Sequence, residues 1–164
     1  MEVTTLNFYV NNLGASQLSY SMLKNIKRRI DEHNDIAPIV FYENLERPPI
    51  PPNFALMQIA EGWGQHGIGV ATSLSTLVKM KSFPALSKRI FYVWDLEWLR
   101  MQPRRYDVYN KFYLDRDITL IARCESHSDL ITNCFNRVPD AIIPDFSVDS
   151  LLEFVNKEKQ DVER

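Results

Sequence analysis

The sequence predicts a three-layer α/β domain, with an open, mostly parallel sheet of about six strands flanked by helices. Short apolar runs alternate along the chain with longer segments whose apolar residues recur at helical spacing. The apolar runs show little polar alternation, as expected for strands that are buried on both faces. The chain has 164 residues, of which 45% are hydrophobic and 24% charged, and this composition is typical of one folded domain.

The first half of the chain contains three predicted strands and one long helix. The helix begins after Gly14, which supplies a turn, and Ser16, which is a suitable N-cap residue. Four prolines in residues 47–52 form a connector that cannot donate hydrogen bonds to a sheet. The predicted elements are a strand over 5–10, a helix over 16–33, a strand over 38–42 and a strand over 54–59.

The second half contains a glycine-rich loop followed by alternating helices and strands. We expect a loop over 62–69, helices over 70–81, 105–114, 127–136 and 148–157, and strands over 89–94, 118–122 and 141–143. Ser126 is the predicted cap of the helix over 127–136, with Leu130, Ile131 and Cys134 facing inward. This order of elements predicts a single Rossmann-like domain over residues 1–156, followed by a charged, frayed tail over 157–164.

Charge and composition exclude several classes of protein. Nineteen basic and 21 acidic residues give a net charge of −2, which argues against a nucleic-acid partner. The start of the chain has no secretory signal pattern, and no apolar run is long enough to span a bilayer, so we expect a cytoplasmic protein. The cysteines Cys124 and Cys134 are interpreted as buried apolar residues, and no histidine or cysteine spacing predicts a metal site.

The predicted loop over 62–69 holds four of the five glycines of the chain. Gly62, Gly64 and Gly67 match the pattern G-x-G-x-x-G before a predicted helix, where free N–H groups bind phosphate. This pattern normally opens the first strand–helix unit, and the acidic ribose partner is missing at its usual spacing, so a purely structural turn stays open. In the same loop, His66 is a candidate general base and Trp63 a candidate ligand contact.

The segment after the strand over 89–94 combines tryptophans with acidic residues. Trp94 is a candidate aromatic surface for a sugar ring, Asp95 a candidate general base and Glu97 a candidate ligand-binding carboxylate. Neighbouring indoles would desolvate these carboxyl groups and raise their pKa values. The alternative is that the tryptophans are core or interface anchors and that the acids are paired with Arg100 or solvated.

Two further loops follow predicted strands and therefore lie at the same edge of the sheet. Arg123 is a candidate clamp for a diphosphate, and pairing with Glu125 is the alternative. Glu125 itself, together with Asn12 and Gly14 in the loop after the first strand, is a candidate ligand-binding residue.

Three segments resemble the N-terminal Rossmann-like domain of GT-B glycosyltransferases. They are Lys88–Leu96, Ile121–Ile131 and Arg137–Pro144, and the loop Asn11–Ser16 is similar in place to the glycine-containing loop of that family. The resemblance extends over residues 4–156 through order and pattern. It implies that Asp95 or His66 deprotonates an acceptor hydroxyl, and that the glycine loop and Arg123 face the phosphates of a donor. GT-B enzymes hold the donor chiefly on a second Rossmann domain, and we expect this chain by itself to lack that donor-binding half.

These observations favour a glycosyltransferase-like domain that binds a sugar or a nucleotide sugar. A nucleoside-diphosphate sugar would be its substrate, and a partner protein or a second copy of the chain would supply the other half of the cleft. One alternative is a non-catalytic interaction domain with Trp63 and Trp98 as contact anchors. Another is a nucleotide- or dinucleotide-binding enzyme that uses the Gly62–Gly67 loop. The leading hypothesis requires that Trp63–His66, Asp95 and Arg123 converge in one cleft.

Overall fold

A computed structural model of the chain describes residues 3–162, with the side chains of residues 103–105, 109, 159, 161 and 162 left out of the description. Strands and helices alternate throughout. The strands are β1 (Thr4–Leu13), β2 (Ile36–Leu45), β3 (Ala55–Gln58), β4 (Gly67–Ala71), β5 (Leu86–Val93), β6 (Thr119–Ala122) and β7 (Ala141–Ile142). The helices are α1 (Gln17–His33), α2 (Leu74–Lys81), α3 (Pro103–Leu114), α4 (Glu125–Phe135) and α5 (Val148–Val162).

The sheet is parallel throughout and has the strand order β3-β2-β1-β4-β5-β6-β7. This is the Rossmann order extended by one strand, so the predicted Rossmann-like α/β fold is confirmed. The chain builds outward from β1 in one direction through β2 and β3, then returns to place β4 on the other side of β1. The order of the strands therefore reverses between β1 and β4, where the loops that follow the two strands diverge.

Helices cover both faces of the sheet because successive side chains of a strand point to opposite faces. Phe8 of β1 packs with α1 and α5, which contribute Met22 and Leu151 to the core on that side. The neighbouring Tyr9 packs on the other side, with residues of α2, α3 and α4 such as Leu77. Both faces of the central strands are thus buried, which explains their continuous apolar sequences.

One central strand was not predicted. Residues 67–71, assigned from the sequence to the end of a loop and the start of a helix, form β4 between β1 and β5. Gly67 has a φ of +93°, and a Cβ there would lie 2.6 Å from the carbonyl oxygen of Thr5. A Cβ at Gly69 would lie 2.7 Å from Leu86. These glycines permit the close approach of neighbours, yet glycine weakens the local strand signal.

Two other predicted boundaries are wrong. Helix α4 begins at Glu125 with Cys124 at its N-cap, two residues before the predicted cap Ser126. Its buried side includes Ile131, as expected, but Leu130 is 38% exposed and Cys134 is exposed, because Phe135 occupies the inward position. At the end of the chain, α5 continues to Val162, so most of the expected frayed tail is helical, and residues 163 and 164 lie outside the described residues.

Across residues 3–162, none of the helices has the length and apolar character needed to cross a bilayer.

Candidate functional site

A cleft of about 380 Å³ lies at the edge where the strands end, at the reversal between β1 and β4. The last residues of β1 line it, together with the loops after β4 and β5 and the start of α1. The side chains that matter most for its chemistry are Asn11, Asn12, Ser73, Trp94, Asp95 and Glu97. The position is the one that open α/β sheets generally use for ligands.

Hydrogen bonds between side chains connect the end of β1 to the loop after β4 and to the end of β2. The hydroxyl of Ser73 donates to Asn11 Oδ1 and also caps α2 by accepting a hydrogen bond from the Thr76 N–H. On the outer side, Asn12 Oδ1 accepts a hydrogen bond of 2.9 Å from Asn44 Nδ2. The amide groups are therefore held in fixed orientations rather than left mobile in solvent.

Gly14, a predicted ligand-binding residue in the loop after β1, is closely packed and is not among the residues that line the cleft. A Cβ at this position would lie 2.7 Å from Glu46 Oε2, and its N–H donates to Ser19 Oγ at 3.4 Å. The residue is buried, so its place in the structure is explained by the close packing of two chain segments. Ser16, two residues later, caps α1 as predicted.

Glu97 is the carboxyl group with the most unusual environment in the cleft. Its Oε1 accepts a hydrogen bond of 2.9 Å from the N–H of Leu74, the first residue of α2. Burial raises the pKa of Glu97 above its usual range, although this hydrogen bond opposes the effect. The arrangement places a partly desolvated carboxyl group, anchored through one oxygen, at the wall of the cleft.

Asp95 and Trp94, both predicted site residues, also reach the cleft. The Asp95 side chain is 55% exposed and lies 3.7 Å from the guanidinium of Arg100, so this carboxylate is solvated and paired. Trp94 is only 6% exposed and packs with Tyr92 and Phe146. Asp95 therefore matches the alternative in which the acidic residues are solvated or paired with Arg100. Trp94 contributes to both the core and the cleft.

Arg123, at the end of β6, lies against Trp94. Its guanidinium carbon is 4.2 Å from the centre of the indole ring, and Nη1 donates a long hydrogen bond of 3.4 Å to the Trp94 carbonyl oxygen. The alternative was an ion pair between Arg123 and Glu125. Glu125 is exposed in the first turn of α4, and none of the ion pairs among the described residues includes Arg123.

The positive charge of Arg123 acts on groups around it. The pKa of His127 is lowered mainly by burial and, to a smaller extent, by the charge of Arg123. This charge also contributes to the lowered pKa of the Cys124 thiol, for which the main cause is the hydrogen bond to Ser126 Oγ at 3.2 Å. The imidazole Nδ1 of His127 is buried and has no partner among the described groups.

The glycine-rich segment does not reach this cleft. After β3 it forms a 3-10 helix over Ile59–Gly64, in which Gly62 packs on Phe83 and Tyr9, and it then enters β4 at Gly67. Gly67 lies at the opposite edge of the sheet, about 13 Å along the strand from the end of β4.

The expected convergence of Trp63 and His66 with Asp95 and Arg123 is therefore wrong. Trp63 is 58% exposed and meets Phe83 edge-on, His66 is exposed, and Gly64 has open space around it. No helix begins directly after Gly67, so the segment lacks the free N–H groups that a dinucleotide-binding loop needs.

The sequence also failed to identify Ser73 and Asn11 as a linked pair, because residues 70–73 were assigned to a helix. A usable signal was present: Ser73 and Thr76 have the spacing of reciprocal N-capping residues, and both of their cap hydrogen bonds form. Trp98, proposed as a contact anchor, is 6% exposed and packs against Tyr113 and Phe135 in the core.

Over the described part of the chain, no cluster of three or more histidine, cysteine or acidic side chains is arranged to hold a metal ion. No protein-family model, curated protein or solved structure matches the chain.

Proposed function

We propose that the cleft between the ends of β1, β4 and β5 binds a sugar, and that the protein is a glycosyltransferase-like domain. The observation that carries this proposal is the lining of the cleft: amide, hydroxyl and carboxyl groups surround the edge of one buried indole. Sugar hydroxyl groups pair with such donors and acceptors, and their apolar ring faces pack against aromatic side chains. The resemblance of the segments around Trp94 and Arg123 to the GT-B N-terminal domain supports the same class.

Glu97 is the group best suited to move a proton in this cleft. In glycosyl transfer, an acceptor oxygen bonds to the anomeric carbon of the donor, the leaving phosphate takes the electron pair of the broken bond, and a base accepts the hydroxyl proton. A carboxyl group whose pKa is raised by burial is closer to the working range of such a base than a solvated one. We therefore assign this role to Glu97 rather than to Asp95 or His66. The partner half of the cleft, with the main donor site, would come from another chain.

The experiment is an NMR titration of the labelled protein with free hexoses and with nucleoside-diphosphate hexoses. We expect saturable shift changes at Asn11, Ser73 and the Trp94 indole, and a dissociation constant at least tenfold weaker in Glu97→Gln. The matched control is Glu153→Gln, which removes an exposed carboxylate from α5 and should leave binding unchanged. If no sugar perturbs the cleft, or if the shift changes centre on residues 62–67, the proposal is wrong.

A further inference from the structure

The side-chain amides at the end of β1 present a defined polarity to the cleft. Asn11 Oδ1 accepts a hydrogen bond from the hydroxyl of Ser73, and Asn12 Oδ1 accepts one of 2.9 Å from Asn44 Nδ2. Both oxygens are thus occupied within the protein, whereas neither Nδ2 group has a hydrogen-bond partner among the described residues. Since both residues line the cleft, this side of it offers N–H donors to a ligand.

The hydrogen bonds around Ser73 determine which atom of the Asn11 amide is left for a ligand. The Thr76 hydroxyl donates to the Ser73 carbonyl oxygen at 3.0 Å, and the Thr76 N–H donates to Ser73 Oγ at 3.2 Å. The hydroxyl hydrogen of Ser73 is therefore available for donation, and Asn11 Oδ1 accepts it. Asn11 is half-buried and Asn12 is exposed, so Asn11 is the donor that is held more firmly.

The loop after β5 supplies hydrogen-bond acceptors to the same cleft. Glu97 Oε1 is bonded to the Leu74 N–H, which leaves Oε2 without a described partner, and Asp95 is a solvated carboxylate. Ser73 and Leu74 are consecutive residues at the start of α2, so the Asn11 amide and the Glu97 carboxyl group are anchored next to each other on one helix. A donor and an acceptor are therefore held at neighbouring positions in the cleft.

An acetamido group matches this arrangement. Its carbonyl oxygen only accepts hydrogen bonds and its N–H only donates, so the two atoms require separate donors and acceptors in the protein. A hydroxyl group both donates and accepts, and it therefore gains less from such a separation. Leu18 and Trp94 also line the cleft and offer apolar surface to the methyl of the acetyl group.

We infer that the sugar bound in the cleft carries an acetamido group, as an N-acetylhexosamine does, and that Asn11 is the residue that selects it. Asn11 Nδ2 donates to the acetyl carbonyl oxygen, and the amide N–H of the sugar donates to the Asp95 carboxylate. Glu97 Oε2 then stays available to the acceptor hydroxyl. This inference rests on the proposed function and narrows its substrate class from sugars in general to N-acylated amino sugars.

The test is an NMR titration of the wild-type protein with glucose, glucosamine and N-acetylglucosamine, and with galactose and its two corresponding derivatives. We expect an N-acetylated sugar to bind at least tenfold more tightly than its parent hexose and its free amine. Asn11→Asp keeps an oxygen for the Ser73 hydroxyl but replaces the Nδ2 donor by an acceptor, so it should reduce this gain to less than threefold. Asn133→Asp, which adds the same charge at an exposed position of α4, is the matched control and should keep the full gain.

The outcomes separate the two proposals. If a hexose binds in the cleft but its N-acetylated form binds no more tightly, this inference is wrong and the proposed function stands. The same conclusion follows if the free amine binds as tightly as the N-acetylated sugar, or if Asn11→Asp keeps the full gain. If none of these sugars perturbs the cleft, both are wrong. The comparison between sugars needs no variant, so a folding defect in Asn11→Asp does not protect the inference from failure.

Discussion

Two acidic residues in one short segment show how far the environment of a side chain decides its chemistry. Asp95 is exposed and paired with Arg100, as an ordinary surface carboxylate is. Glu97, two residues later, is bonded to the first N–H of α2 and is partly withdrawn from water. The two residues are both acidic and lie two positions apart, so sequence reasoning had no means of telling which carboxyl group is desolvated, and it chose Asp95 as the candidate base.

The raised pKa of Glu97 predicts how stability depends on pH. Between roughly pH 4, where an unfolded glutamate titrates, and its raised folded pKa, the folded protein binds a proton that the unfolded chain has lost. The free energy of unfolding therefore decreases as the pH rises through this window. Gln at position 97 removes this titration and keeps the oxygen that accepts from Leu74.

We expect the melting temperature of Glu97→Gln, relative to wild type, to increase between pH 4 and pH 7. The direction of this change with pH is the expected result, because only the wild-type protein has the carboxyl group whose pKa burial raises. Melting curves at several pH values measure it, with Glu153→Gln as a control whose difference from wild type stays flat. A gain that is largest at low pH would contradict the assigned environment of Glu97.

At the scale of elements, serine caps determine where the helices at the cleft begin. Ser16 caps α1 and Ser73 caps α2, each by accepting a hydrogen bond from the N–H three residues later. Ser73 also bonds to Asn11, so the start of α2 is tied to the end of β1. In α4, by contrast, the N-cap is Cys124, whose side chain makes no capping hydrogen bond.

This difference between the caps makes a direct prediction. Ser73→Ala should lower the free energy of unfolding by about 1 kcal/mol, because it leaves the Thr76 N–H of α2 without its acceptor. Ser126→Ala, at the cap position that the sequence favoured for α4, should change it by less than about 0.5 kcal/mol. Urea unfolding of both variants measures this. Equal losses would show that Ser126 caps α4 after all.

At the scale of the whole molecule, Tyr92 connects the sheet to the last helix. Its hydroxyl donates to the Ile143 carbonyl oxygen and accepts from the Phe146 N–H at 3.1 Å. In the turn that these two hydrogen bonds hold, Asp145 and Phe146 have φ angles of 49° and 55°, which non-glycine residues adopt at a cost in free energy. Asn25 of α1 holds the same turn by donating to the Asp145 carbonyl oxygen at 2.7 Å.

Removal of the Tyr92 hydroxyl should therefore weaken the whole domain. Tyr92→Phe leaves two buried backbone groups without partners, and we expect a loss of about 1–3 kcal/mol in the free energy of unfolding. Tyr113→Phe is the control, since the Tyr113 hydroxyl is buried without a partner among the described groups, and its loss should be neutral or stabilising. Urea unfolding at neutral pH compares the two. A Tyr113→Phe loss as large as that of Tyr92→Phe would contradict these contacts.

Much of the fold could be predicted from local sequence. Helix α1 has a serine cap and an apolar stripe, and β1, β2, β5 and β6 are continuous apolar runs between turns, so local chemistry determined their type and approximate position. The placement of Trp94, Asp95 and Arg123 at one edge followed from the parallel sheet.

Only the tertiary structure decided β4 and the chemistry of the cleft. The segment Gly67–Ala71 has weak strand propensity by itself and becomes a strand because β1 and β5 supply hydrogen bonds on both sides and require glycine where the chains approach closely. Its position carries the glycine pattern to the far edge of the sheet, away from the cleft. The desolvation of Glu97 and the stacking of Arg123 on Trp94 likewise depend on residues distant in sequence, because burial and contact are properties of the packed chain.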